Sequence, residues 1–403
     1  MKRINFFLVL CFFFFSLVEA KETDYAYLNF EHLNFKATHY LLYNLDEGKT
    51  VIQKGSDEQI SIASLTKIMT SMVVILNHED LDKRVTLPNE AFYNTSGYAM
   101  AGFKRNETVT IRDLLYGTLL PSGVEASQAL AILTAGSIDH FVKMMNDLKE
   151  EIGMNATHFS NPVGRDAIDH YSTLEDVQKL LLYALKNEVF KEIYTTRYYE
   201  TTNHLDLYST LVGPSEKYFL DVKNILGSKS GFTKEAGLCL SSIAEYQGVH
   251  YLLIVARSPY QNGFPNHIVD SLEIYNYFNE HYSYQNVFPV EEPVATLTVQ
   301  DGEILEYPIY VEQTVPIYLD KEAVLTYRYE GVDVLNRTIK VNDFLGNVHV
   351  FYHDQLLYSQ EIYLKDNISY RYTDYKMGLV LLVVLILLLL LILKLRKRSK
   401  KKK

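Results

Sequence analysis

The chain has 403 residues and a formal net charge of −10, enough length for one large domain and a smaller one. Basic residues gather at the ends: setting aside about +1 in Met1 to Ala20 and about +8 after Lys376 leaves about −19 between them, a field that argues against polyphosphate and so against nucleic acid as a partner. The two cysteines are Cys11 and Cys239; with Cys11 in a segment read below as removed, one thiol remains, which excludes a scaffold built on internal disulfides.

Met1 to Ala20 begins with Lys2 and Arg3, continues in an apolar run from Phe6 to Phe15 and closes on Val18-Glu19-Ala20, the pattern of a cleavable secretory signal. Lys21 to Lys36 has no clear period and reads as a leader strap. His39 to Tyr43 and Thr50 to Lys54 flank Asp46-Glu47-Gly48-Lys49, and are expected to pair as a hairpin. Leu65, Ile68, Met69, Met72 and Ile75 recur at helical spacing, predicting a core helix over Leu65 to Leu76 with Ser64 at its N-terminal end. Ile111 to Thr118 and Ala126 to Leu133 are predicted helices separated by the turn Pro121-Ser122-Gly123, which is expected to face a cleft. Helical spacing returns over Ser137 to Gly153 and Leu174 to Asn187, strand character over Leu238 to Ala244 and Tyr251 to Ala256, and a last helix over Val269 to His281. The order strand, helices, strand predicts an antiparallel sheet flanked by helices, its first and last strands meeting at the centre.

After Pro289 the texture changes to alternating runs such as Val294 to Val299, Val324 to Tyr329 and Asn347 to Tyr352. A small β domain, of sandwich type, is expected there as a spacer. Met377 to Leu393 is an unbroken apolar run followed by Lys394, Arg396, Lys397, Arg398 and closing lysines. It predicts one transmembrane helix with a cytoplasmic tail over 394–403 and everything before it outside. The expected divisions are 1–20, a main domain over 37–285, a β-rich domain over 290–367, the span and the tail.

Ser64 and Lys67 stand three residues apart at a helix start, so a hydroxyl and an amine project from one face a turn apart. Serine needs a neighbour to take its proton, and lysine can do so only when burial or another cation lowers its pKa. Lys229-Ser230-Gly231 could bring that second cation, a hydroxyl and a glycine that permits close approach. No His-Glu-x-x-His or Cys/His cluster predicts a metal, no cofactor is expected, and Ser64 does not lie in a Gly-x-Ser-x-Gly elbow. The many tyrosines are expected in packing and not as a sugar platform.

In order, Ile62-Ala63-Ser64-Leu65-Thr66-Lys67-Ile68-Met69-Thr70, then Leu119-Leu120-Pro121-Ser122-Gly123, then Lys229-Ser230-Gly231-Phe232-Thr233 resemble the three signatures of penicillin-binding serine enzymes. Phe159 to Gly164, His170 to Thr173 and Glu235 to Gly237 narrow the resemblance to the low-molecular-weight D-alanyl-D-alanine carboxypeptidases, serine peptidase family S11, over about Tyr40 to Tyr282. The resemblance implies an α+β fold: a three-layer helix/antiparallel sheet/helix domain, followed here by the small sandwich and the span. It also implies that Ser64 attacks the peptide carbonyl, Lys67 receives its proton, and Ser122 relays a proton to the leaving D-alanine. Lys229 and Ser230 would hold the substrate carboxylate, Gly231 would admit it, and the amides of Ser64 and Phe232 would form the oxyanion hole. The implied partners are peptidoglycan stem peptides, β-lactams as inhibitors and the bacterial cell membrane.

The chain departs from that pattern at Val124, where the second motif ends in asparagine. A lost amide hydrogen bond costs about 1 to 3 kcal/mol, or roughly 5- to 150-fold. The family's arginine before the closing helix is also not evident; Asn266 and His267 stand near its place. Two other readings follow: a silent wall-binding protein, against which Ser64, Lys67 and Lys229 argue, and a β-lactamase, which lacks a clear carboxylate for deacylation.

Overall fold

A computed structural model describes residues 35–287, 292–310, 315–371 and 375–400. The expected signal, all but the last two residues of the strap and the closing three lysines lie outside the described residues. The chain divides into two compact units at Ser283 and Tyr284.

The first unit opens with β1 (His39–Asn44) and β2 (Lys49–Lys54), joined by a turn in which Asn44 Oδ1 accepts the amides of Asp46 and Glu47 at 2.9 and 3.1 Å. One 3-10 turn, Ala63–Leu65, leads into α1 (Thr66–Asn77). Then come β3 (Arg84–Thr86), β4 (Thr108–Thr110), α2 (Ile111–Leu119), α3 (Val124–Ala135), α4 (Ile138–Ile152), α5 (Leu174–Ala184) and α6 (Glu188–Thr195). The hairpin of β5 (Tyr198–Glu200) and β6 (Asp206–Tyr208) precedes α7 (Val212–Lys217), β7 (Ile225–Thr233), β8 (Gly237–Tyr246), β9 (Val249–Ser258) and α8 (Asn266–His281).

Local chemistry sets the helix starts. Thr110 and Asp113 form a reciprocal capping box on α2, while Ser137, Thr173 and Asn187 cap α4, α5 and α6 through their side chains; each such cap is worth about 1 kcal/mol.

The sheet is antiparallel in the order β2-β1-β9-β8-β7. His39 lies opposite Ala256, so the first and last strands meet at its centre, as the element order predicts. β8 and β9 are buried along most of their length, with α8 packed on both and α5 on β1 and β9. α1 is buried from Thr66 to Val74 and packs against α2, α3, α4, α5 and α6, which makes it the axis of the helical layer. Among the described residues β7 pairs with β8 alone, so one of its edges has no strand partner there.

Three element starts differ from the expected ones. The Ser64 segment is a 3-10 turn and not the first turn of α1, α3 begins at Val124, and α8 begins at Asn266. The strand β7 and the helix α6 were not expected at all. The sequence of β7, Ile-Leu-Gly-Ser-Lys-Ser-Gly-Phe-Thr, lacks the apolar alternation that marks a half-buried strand: two of its buried positions are Gly227, which lies against Tyr194, and Gly231, which lies against the Ser64 amide.

The second unit carries β10 (Tyr282–Asn286), which runs across the boundary, then β11 (Ala295–Val299), β12 (Glu306–Ile309), β13 (Pro316–Asp320), β14 (Thr326–Gly331), β15 (Val334–Leu335), β16 (Phe344–Tyr352) and β17 (Gln355–Tyr363). Its two three-stranded sheets are β12-β11-β15 and β14-β16-β17. A final helix, α9 (Tyr375–Lys400), contains an 18-residue window, Gly378–Leu395, long and apolar enough to cross a bilayer, with its side chains exposed.

Candidate active site

The site begins with a strained turn. Ala63 has φ +47°, a left-handed conformation that costs a non-glycine residue about 1 kcal/mol or more. It sets Ser64 on the 3-10 turn immediately before α1. Two glycines let other chain segments come against this turn. A Cβ on Gly231 would lie 2.8 Å from the Ser64 amide nitrogen, and one on Gly164, whose φ is +80°, would lie 1.8 Å from the Ala63 carbonyl oxygen. β7 at Gly231 therefore runs beside the amide of Ser64.

Lys67 points back along α1, and its Nζ donates to Ser64 Oγ at 2.9 Å and to Val163 O at 3.1 Å. It is 1% exposed. Burial pushes its pKa down to about 7; Glu125 acts against that and Arg165 adds to it. Lys229 is fully buried on β7, donates to its neighbour's carbonyl, Ser230 O, at 2.7 Å, and is held well below the ordinary lysine range by burial and by the charge of Lys67. Two buried amines that repel each other's protons leave one free to act as a base near neutral pH.

Ser122 is buried in the turn between α2 and α3 with φ +65°. The turn is fixed on its far side by the amide of Gly123, which donates to Gly117 O at 2.8 Å, and that of Val124, which donates to Ala99 O at 2.9 Å. Ser122 Oγ makes no hydrogen bond to Ser64 or Lys67. Val124 is 1% exposed at the first position of α3. Next to it, Glu125 is fully buried, with one carboxylate oxygen accepting from the Gly102 amide at 2.8 Å and the other without a partner among the described residues; burial raises its pKa.

On the β7 side, Ser230 Oγ donates to Thr210 Oγ1 at 2.7 Å, and the Thr210 amide donates to Leu120 O at 3.0 Å. The exposed ring of Phe232 lies against that of Tyr260, with centroids 4.7 Å apart. Asn266 and His267 are buried at the start of α8 and bring no cation to this edge.

Several residues were missed by sequence reasoning. Asp166 accepts from Ser61 Oγ at 2.6 Å, Thr233 Oγ1 at 2.7 Å and, at 3.4 Å, the Glu235 amide, tying the segment before Ser64 to the end of β7. Asn161 Oδ1 accepts the amides of Val163, Gly164 and Arg165, and Thr70 Oγ1 donates to Pro162 O at 2.7 Å, so the loop that meets Lys67 is held from both sides. His170 Nδ1 accepts the Ser160 amide at 3.1 Å, which leaves Nε2 to donate to Thr66 Oγ1 at 2.8 Å. The Phe159-to-Gly164 and His170-to-Thr173 stretches hinted at this loop, but its contacts span separations that no local pattern reveals.

The family model for D-alanyl-D-alanine carboxypeptidases matches residues 27–258. The chain belongs to that family. It is a serine hydrolase of the D-alanyl-D-alanine carboxypeptidase type. Among similar carboxypeptidases, DacF of Bacillus subtilis is 27% identical over 320 residues, covering 77% of this chain and 78% of the relative. That of Streptomyces sp. strain K15 is 29% identical over 251 residues, covering 58% and 84%. Among solved structures, penicillin binding protein 5 from Haemophilus influenzae superposes with TM-score 0.60 at 20% identity, over 85% of this chain and all of that one. The Streptomyces K15 DD-transpeptidase does so with TM-score 0.55 at 29% identity, over 61% and 98%.

Proposed function

We propose that this carboxypeptidase removes the terminal D-alanine of peptidoglycan stem peptides through an acyl-enzyme on Ser64, and that β-lactams acylate the same hydroxyl. The observation that carries the reading is the 2.9 Å contact from Lys67 Nζ to Ser64 Oγ, made by a buried amine whose pKa is about 7. In its neutral form Lys67 takes the Ser64 proton as Oγ attacks the penultimate carbonyl. The developing oxyanion accepts from the Ser64 and Phe232 amides, which the close approach of Gly231 supports. The C–N bond then breaks, and the proton returns from Lys67 through Ser122 Oγ to the leaving nitrogen. Water attacks the ester and gives a proton to Lys67, which passes it to Ser64 Oγ as the acyl C–O bond breaks, releasing the shortened peptide and restoring neutral Lys67. Lys229 and the Ser230–Thr210 hydroxyl pair would hold the leaving D-alanine's carboxylate, in place of the absent arginine.

The same reading assigns a three-layer main domain over 37–285, a β-sandwich spacer over 290–367 and a single-pass anchor that leaves the main domain outside. Support comes from the flanked antiparallel sheet, the two three-stranded sheets and α9. D-alanine release from a pentapeptide by the full chain, lost in Ser64→Ala, tests it; release that survives in Ser64→Ala would sink it.

A further inference from the structure

Arg165 is a cation with no anion. Its Nη2 donates to Asn94 O at 2.7 Å and to Gln128 Oε1 at 3.0 Å, both neutral acceptors, and its Nε is shut off from water without a partner. Among the described residues it enters no ion pair. The guanidinium lies over the exposed Tyr98 ring, 5.1 Å from its centroid. A half-buried guanidinium with only neutral partners keeps its attraction for a carboxylate, and in a region of charge about −19 the absence of one is informative.

Its place in the fold says which part of a substrate it would meet. The preceding residue, Gly164, abuts the Ala63 carbonyl, and the following one, Asp166, bonds Ser61 and Thr233, so Arg165 sits between two contacts to the reacting centre. Gln128 is one helical turn beyond Val124 on α3. The Ser230–Thr210 pair, assigned above to the leaving group, stands on other elements. The acyl arm is the part of the substrate left to face Arg165 and α3.

We propose that Arg165 is a specificity-determining residue that reads a free carboxylate on the acyl arm of the substrate, in the residues preceding the terminal D-alanine pair, an ionic contact that offsets the amide bond Val124 cannot make. This rests on the carboxypeptidase reading of the same site. The residue would distinguish an acyl arm that carries a free carboxylate from one in which that carboxylate is amidated.

The test uses the full chain in detergent and two pentapeptides that differ at one acyl-side carboxylate, free in one and amidated in the other. Wild type should favour the free acid by about 10-fold in kcat/KM, mainly through KM, as one charge-assisted pair allows. The preference should shrink as salt rises. Arg165→Gln should bring the ratio close to one, and Arg165→Lys should restore part of it, with penicillin labelling of Ser64 reporting that each variant keeps its site. Equal rates on both peptides in wild type, a salt-independent preference, or an unchanged ratio in Arg165→Gln would each overturn the inference while D-alanine release still stands. Release from neither peptide would instead overturn the reading on which it rests. The wild-type comparisons decide the matter even if the glutamine variant fails to fold.

Discussion

On the proposed mechanism, Lys67 sets the pH dependence. Its amine is a base only when neutral, and burial pushes its pKa down to about 7. The rate of β-lactam acylation should therefore rise with pH through about 7 and level off above it. Glu125 favours the protonated amine, so Glu125→Gln, which keeps the side chain's shape and its acceptor for the Gly102 amide, should move that limb to lower pH. Acylation rates of the two proteins from about pH 5 to about pH 9 check this; an alkaline shift in the variant would contradict it. At Val124, restoring asparagine should raise D-alanine release by about 5-fold or more if the side chain reaches the substrate backbone, and no gain in steady-state rate would count against that role. Ser64, Lys67, Ser122 and Lys229 were legible because each stands in a short motif. Thr210, Asp166 and Arg165 were not: Asp166 bonds residues 105 and 67 positions away, and no spacing rule reaches that far.

At the scale of elements, the site depends on how closely backbones approach. Gly164→Ala would drive a methyl into the Ala63 carbonyl at a left-handed φ, and should cost more than about 2 kcal/mol or abolish folding, read as the urea midpoint. The loop from Phe159 to Thr173 is pinned by a neutral His170, whose pKa burial pushes down to about 4. The unfolded chain binds that proton below about 6.5 and the folded chain does not, so this contribution is complete above about pH 6.5 and falls as pH drops toward 4, by roughly 3 kcal/mol. His170→Gln should flatten the acid slope of stability between those values; an unchanged slope would show that other groups control it. The helices α1 and α5 announced themselves through the helical spacing of their apolar residues. β7 did not, since Gly227 and Gly231 stand at buried positions where apolar side chains would mark a strand. α3, buried from Val124 to Ala131, carries too little polar contrast to show where it begins.

For the whole molecule, the strongly acidic middle and the two basic ends describe different surroundings. The apolar side chains of Gly378–Leu395 are exposed, and burying them in a bilayer removes a surface that water would not tolerate alone. Removing the chain after Asp374 should free the protein from membranes into the soluble fraction and leave its acylation rate within about 2-fold of the full chain; retention on membranes would assign the anchor elsewhere. The change of texture after Pro289 pointed to strands, and the chain divides into two units at Ser283 and Tyr284; the two separate three-stranded sheets of the second unit were not legible, because alternation marks strands without naming their partners.

The most direct test is to treat the full chain with fluorescent penicillin, digest it and locate the adduct by mass spectrometry. The account expects one covalent adduct on Ser64, absent from Ser64→Ala and slow to form in Lys67→Ala. A folded protein that takes no label at saturating drug, or takes it on another residue, would contradict the acyl-enzyme at Ser64.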